Sequence, residues 1–260
     1  MNAVTCNICG NESEFIFQAC VLHKYQVNYY RCPHCDFIQT EKPYWLDEAY
    51  TQAINKYDTG ILSRNVEYSA IVSTLIYFLF DRTQTFLDYG GGYGIFTRLM
   101  RDIGFDFYHY DPLAQNLFAQ GFEAQSLDNH FELVTALECF EHFINPMEEI
   151  NHIIAFSDNI FFSTELHPRF IPDLTWWYYA FDHGQHIAFY SYKTLSYIAQ
   201  RYELHLISFG NFHLFTKENI SNFVSKLIVH NRHRGLYWYV HKKMKSKTFS
   251  DFEKIKNLPC

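Results

Sequence analysis

No apolar run in this chain approaches the about 20 residues that a membrane-spanning helix needs. The longest, Ile71 to Phe80, is broken by Ser73 and Thr74 and reads as a buried helix. The opening MNAVTCNICG has neither a basic n-region nor an apolar h-region, so neither a secretory signal nor a transit peptide is expected. The expected location is cytoplasmic. Internal repeats and low-complexity tracts are also missing, which argues against a solenoid and against a disordered linker protein.

Positive charge is scarce outside one end. Residues 225–260 carry nine Lys/Arg against two Asp/Glu, leaving 12 basic against 26 acidic residues before them. A protein that reads nucleic acid presents a broad positive face to phosphate, and this acidic body weighs against such a partner. The basic end, 218–260, reads as a helical tail with a solvated face that also suits peripheral contact with a membrane surface. No transmembrane segment is expected.

The chain has ample hydrophobic material. Of its 260 residues 48% are hydrophobic and 19% aromatic, enough for one full domain and a small appendage. Four of the seven cysteines form two C-x-x-C pairs, Cys6/Cys9 and Cys32/Cys35, separated by 22 residues. Two such knuckles offer four thiolates to a tetrahedral Zn²⁺, and a closed four-thiolate site is structural because it leaves no position for water. The alternative is four free or redox-active thiols.

From residue 62 a helical pattern runs to about 80. Strand candidates follow at 85–88, 106–110, 123–126, 133–137 and 159–163, with helices near 94–103, 113–120 and 146–155. Such alternation predicts a parallel sheet covered by helices. Ser191 reads as the N-cap of a helix to about 202, and Gly210-Asn211 as the turn of a hairpin.

The sequence FLDYGGGYG places Asp88 at the end of a buried strand, followed by Gly90, Gly92 and Gly94 in a turn into a helix. Glycines there let backbone approach a cofactor closely. Asp111 ends the next strand, 17 residues after Gly94, where an acid can hold ribose hydroxyls. Nicotinamide-binding loops favour G-x-G-x-x-G, whereas the third glycine here comes one residue early. The pattern resembles motif I of the class I S-adenosylmethionine-dependent methyltransferases. That resemblance covers roughly residues 62–216 and implies a doubly wound, mostly parallel, seven-stranded α/β sheet. It also implies that Asp88 and the glycines line the methionine end of the cofactor, that Asp111 holds the ribose, and that Glu138 borders the cofactor.

The knuckles together with Glu141-His142 resemble the zinc-knuckle methyltransferases that act on sugars and surface glycans. The deoxysugar C-methyltransferases among them continue into a large second domain, so a hydroxyl acceptor is expected here. His183 and His186, in an aromatic segment after the fifth strand, are candidate bases, as are Glu141 and His142. Loop bracing is the structural alternative for all four. The expected organisation is a zinc knuckle at 1–40, a linker at 41–61, the methyltransferase domain at 62–217 and the basic tail at 218–260. A zinc-knuckle RNA methyltransferase and a non-catalytic nucleotide-binding scaffold are the rival readings.

Overall fold

The computed structural model describes residues 4–51, 58–124 and 130–257. In chain order the elements are β1 (Val4–Thr5), β2 (Glu12–Val21), β3 (Tyr25–Arg31), β4 (Ile38–Thr40), α1 (Leu46–Ala49), α2 (Ile61–Leu79), β5 (Thr85–Tyr89), α3 (Ile95–Ile103), β6 (Asp106–Tyr110) and β7 (Leu133–Ala136). There follow α4 (Pro146–Phe156), β8 (Asn159–Ser163), β9 (Ala188–Phe189), α5 (Tyr192–Arg201), β10 (His205–Phe209), β11 (Phe212–Thr216), α6 (Asn222–Asn231), α7 (Leu236–Lys243) and α8 (Thr248–Lys256). No helix among the described residues is long and apolar enough to cross a membrane.

One sheet has the order β1-β2-β3-β4-β9 and the other β10-β11-β8-β7-β5-β6. In the second sheet β5 runs parallel to both β6 and β7, and β10 pairs antiparallel with β11 around the expected Gly210-Asn211 turn. This is an α/β fold with a mixed sheet. Among the described residues that sheet has six strands where seven were expected. The strand expected at 123–126 is a single parallel bridge from Glu123 to His109, and residues 125 and 126 lie outside the described residues.

The helix expected near 113–120 does not form. Asp111 accepts the N–H groups of Leu113 and Ala114, both at 2.8 Å, and Tyr93 O accepts those of Leu117 and Phe118 at 3.0 Å. Those donors are drawn to acceptors outside the segment, which leaves no i→i−4 ladder for a helix.

The chain divides into two compact units, residues 1–55 with 138–154 and 162–217, and residues 56–137 with 155–161 and 218–260. The first unit is built on the antiparallel sheet. β9 pairs with β4, matching Ile38 with Phe189 and Gln39 with Ala188. The aromatic segment is therefore core as well as loop: Tyr178, Tyr179 and Phe189 pack with Val21, Val27, Tyr29 and Trp45 in one buried cluster. Trp45 Nε1 donates to Gly184 O at 2.8 Å, which gives the indole its polar partner. Ser191 caps α5 through a reciprocal box with Thr194, and the Thr194 hydroxyl donates to Cys35 O at 3.0 Å.

In the second unit the C-terminal helices are docked. Arg101, only 3% exposed, forms a fork on Asp251 of α8 with contacts of 2.8 and 2.7 Å, and also reaches Asp106 at 2.7 Å. Its guanidinium lies 3.7 Å from the Phe122 ring centroid. Arg232 and His233 both pair with Glu67 of α2. The tail thus keeps part of its charge for internal pairs, and not all of it forms the solvated face expected from the sequence.

Candidate cofactor site and acid-base cluster

The glycine turn lies between β5 and α3 in the second unit. Gly90 N and Gly91 N both donate to Tyr110 O, at 2.8 and 3.3 Å, which ties the turn to the end of β6. Asp111 Oδ2 accepts Gly92 N–H at 2.8 Å while Oδ1 holds Leu113 and Ala114, so one carboxylate fastens both the turn and the segment after β6. At Gly91 a Cβ would lie 2.6 Å from Asp88 Oδ2 and 2.8 Å from His109 Cδ2, so nothing larger fits. At Gly92, with φ +55, a Cβ would meet nothing within 4 Å. That open space is where a cofactor can approach the backbone. Gly94 forms the N-cap of α3.

Asp88 sits beneath this turn and is only 2% exposed. Its Oδ2 accepts from Thr97 Oγ1 at 2.9 Å and its Oδ1 from Thr135 Oγ1 at 3.0 Å. Burial pushes its pKa up to about 6 against the opposing pull of the Thr97 and Thr135 hydrogen bonds and of His109. His109 Nε2 in turn donates to Gly92 O at 2.9 Å. The sequence reading singled out Asp88 and Asp111. It missed Thr97, Thr135 and His109, whose only signal is their place on strands or helix flanking the turn.

The other candidate residues belong to the first unit. Glu138 has φ +54, a left-handed conformation uncommon outside glycine, and Ser163 Oγ both accepts its N–H at 2.7 Å and donates to its Oε1 at 2.6 Å. Phe140–His142 form a single 3₁₀ turn, and Ile187 N donates to Glu141 O at 2.9 Å. This bond brings the residue beside His186 onto the Glu141 turn.

His142 Nδ1 contacts Gln185 O at 3.0 Å and His186 Nδ1 contacts Tyr178 O at 2.7 Å. A carbonyl oxygen only accepts, so each Nδ1 carries the proton and each Nε2 the lone pair. His183 has the opposite tautomer, because its Nδ1 accepts from Gln185 N at 3.3 Å. Burial holds His142 and His186 below the usual imidazole pKa, His186 further because His142 and His183 both lie against it. A carboxylate oxygen of fully buried Glu141 and a ring nitrogen of each of His142 and His186 all lie within 4.8 Å of one another. Tyr178, missed as a site residue, packs on His186 with ring centroids 4.7 Å apart.

Cys6, Cys9, Cys32 and Cys35 also gather within 4.8 Å of one another, with Cys6 to Cys35 at 3.5 Å and Cys9 to Cys32 at 3.4 Å between sulfurs. A tetrahedral zinc with bonds of about 2.3 Å separates its sulfurs by about 3.8 Å, so the donor set fits a metal with little movement. The mutual hydrogen bond draws Cys6 down to about 5 and pushes Cys35 up.

A glycine turn leaving one parallel strand, fastened by an acid at the end of its neighbour, is the arrangement with which α/β folds approach a nucleotide cofactor. The chain belongs to the methyltransferase-domain family, whose model matches residues 63–208. No curated protein matches it. Among solved structures it is similar to CalO1, a methyltransferase in calicheamicin biosynthesis, at 13% identity and a TM-score of 0.44, covering 67% of this chain and 60% of that one. An O-methyltransferase family protein from Burkholderia thailandensis is 14% identical with a TM-score of 0.46, covering 66% of each chain. TnmH is 13% identical with a TM-score of 0.47, covering 66% of this chain and 60% of that one.

Proposed function

We propose that the chain transfers a methyl group from S-adenosylmethionine to a hydroxyl oxygen of a sugar, as part of a surface glycan or a nucleotide sugar. The observation that carries the cofactor half is the Asp111 carboxylate closed on Gly92 N–H beside an open face of backbone. Gly90, Gly92 and Gly94 would hold the methionine end, Asp88 would keep the turn in shape from below, and Asp111 would bind the ribose. Glu138 would border the cofactor, its carboxylate oriented by Ser163. The cofactor supplies an electrophilic methyl group on a sulfonium.

The acceptor half rests on the two imidazoles that present Nε2 lone pairs. A sugar hydroxyl is a weak nucleophile, and a neutral imidazole takes its proton as the oxygen attacks. His186, pinned at Nδ1 by Tyr178 O and kept neutral by burial, is the base; His142 and Glu141 orient it. His183, whose Nδ1 accepts from Gln185 N, serves to position the acceptor. The four cysteines bind one structural zinc in a knuckle spanning residues 1–40, followed by a connecting segment at 41–61, the catalytic domain at 62–217 and the basic tail at 218–260. The acidic composition of residues 1–224 favours a glycan over RNA.

The test is incubation with methyl-labelled S-adenosylmethionine and a panel of nucleotide sugars, glycans and RNA. Label in a sugar with one S-adenosylhomocysteine formed per methyl supports the proposal. Label in RNA alone, or cofactor binding without turnover on any acceptor, refutes it.

A further inference from the structure

Two groups of metal-ligating side chains occur among the described residues, and only the cysteine group has a sequence motif. The second is Glu141, His142 and His186. Both histidines donate Nδ1–H to a backbone carbonyl, which fixes the ring orientation and leaves Nε2 to ligate. This carbonyl support is the usual arrangement behind a metal-bound imidazole. The 3₁₀ turn of Phe140–His142 sets two of the ligands side by side, and the bond from Ile187 N to Glu141 O brings the third to them. Ring contacts with Tyr178 at 4.7 Å, His183 at 5.0 Å and Tyr50 at 6.3 Å hold both imidazoles between aromatic neighbours. A mixed set of two nitrogens and one carboxylate oxygen suits a divalent first-row transition ion.

We infer that Glu141, His142 and His186 form a second metal site, which binds one divalent transition ion through Glu141 carboxylate oxygen and the Nε2 atoms of both histidines. The His186 Nε2 lone pair that would take the acceptor proton is one of the two that ligate. Metal and proton transfer therefore compete, and an ion bound here inhibits methyl transfer. The metal site stands on its own geometry; only its effect on rate rests on the proposed function.

The experiment uses the full chain loaded with one zinc at the cysteines and titrated with Co²⁺ alone. The expected result is one further equivalent with the visible spectrum of nitrogen and oxygen ligation and no thiolate charge-transfer band. His186→Ala and His142→Gln should each lose this equivalent while keeping the cysteine-bound zinc, which reports that the unit is folded. No further equivalent in the native protein, or one that survives in both variants, overturns the site. In the transfer assay, Co²⁺ loading should suppress the rate and a chelator too weak to strip the cysteine zinc should restore it. A rate raised by Co²⁺ overturns the competition. A protein that binds Co²⁺ as expected but methylates nothing leaves the site standing and refutes the proposed function instead.

Discussion

Replacing Asp88 with Asn should make the protein more stable at neutral pH and a worse binder of its cofactor. The carboxylate is fully buried, and its pKa rises from 3.8 to about 6 chiefly through burial. Because the folded value is the higher one, the stability this group allows is complete below pH 3.8 and is lost as pH rises through 6. At 1.36 kcal/mol per unit the buried charge costs roughly 3 kcal/mol at pH 7. Asn has no charge to bury, but its amide leaves one of the two threonine hydroxyls to turn around. Thr135 already has a second acceptor, Leu87 O at 3.2 Å, so this rearrangement costs about 1 kcal/mol. The net gain expected at pH 7 is about 2 kcal/mol, vanishing by pH 4. Chemical unfolding of both proteins across pH 4 to 8 measures it. An Asn variant that is less stable at pH 7, or a difference that does not change with pH, refutes the argument.

Other consequences can be measured with standard assays. His213, wholly buried between Ser208 Oγ and Thr164 O, is held down to about 4 by burial, so its stability contribution is present above pH 6.5 and is lost as pH falls toward 4. His213→Gln should remove a slope worth roughly 3 kcal/mol over that window in acid unfolding curves, and an unchanged slope would contradict this. Purified protein should hold about one zinc at the cysteines, and Cys32→Ser should lose it together with melting temperature; elemental analysis without zinc in the native protein contradicts the four-thiolate site. His186→Ala should keep cofactor affinity while the single-turnover rate falls by roughly 10²–10⁴-fold, with the native rate level through neutral pH and falling only below the usual imidazole range. A stable variant with a near-native rate removes His186 as the base.

The features legible in the sequence are those set by neighbouring residues. The β5 strand, glycine turn and α3 follow from FLDYGGGYG, the thiol group from two C-x-x-C spacings, and the hairpin from Gly210-Asn211. What was hidden depends on partners far apart in the chain. The Arg101 fork spans 150 residues to Asp251, and β9 joins a strand that ends at Thr40. The expected helix at 113–120 failed because Asp111 and Tyr93 capture its donors, a competition that periodicity does not register. His142 and His186 drew notice from the sequence as candidate bases, but their shared tautomer depends on two carbonyls that only the fold supplies.

The central claim is that the glycine turn and Asp111 form a site for S-adenosylmethionine, and calorimetric titration with S-adenosylhomocysteine tests it most directly. The native chain should bind one equivalent, and Asp111→Ala should bind more weakly by on the order of 1.5–3 kcal/mol, the range for hydrogen bonds to a charged group. Asp111→Asn keeps an oxygen for Leu113 and Ala114 N–H but turns its amide nitrogen toward Gly92 N–H, so it gives up the tie to the turn together with the ligand contact. Its melting temperature should fall below the native value, and it should still lose affinity. No binding by the native chain, or equal affinity in all three proteins, would contradict the account.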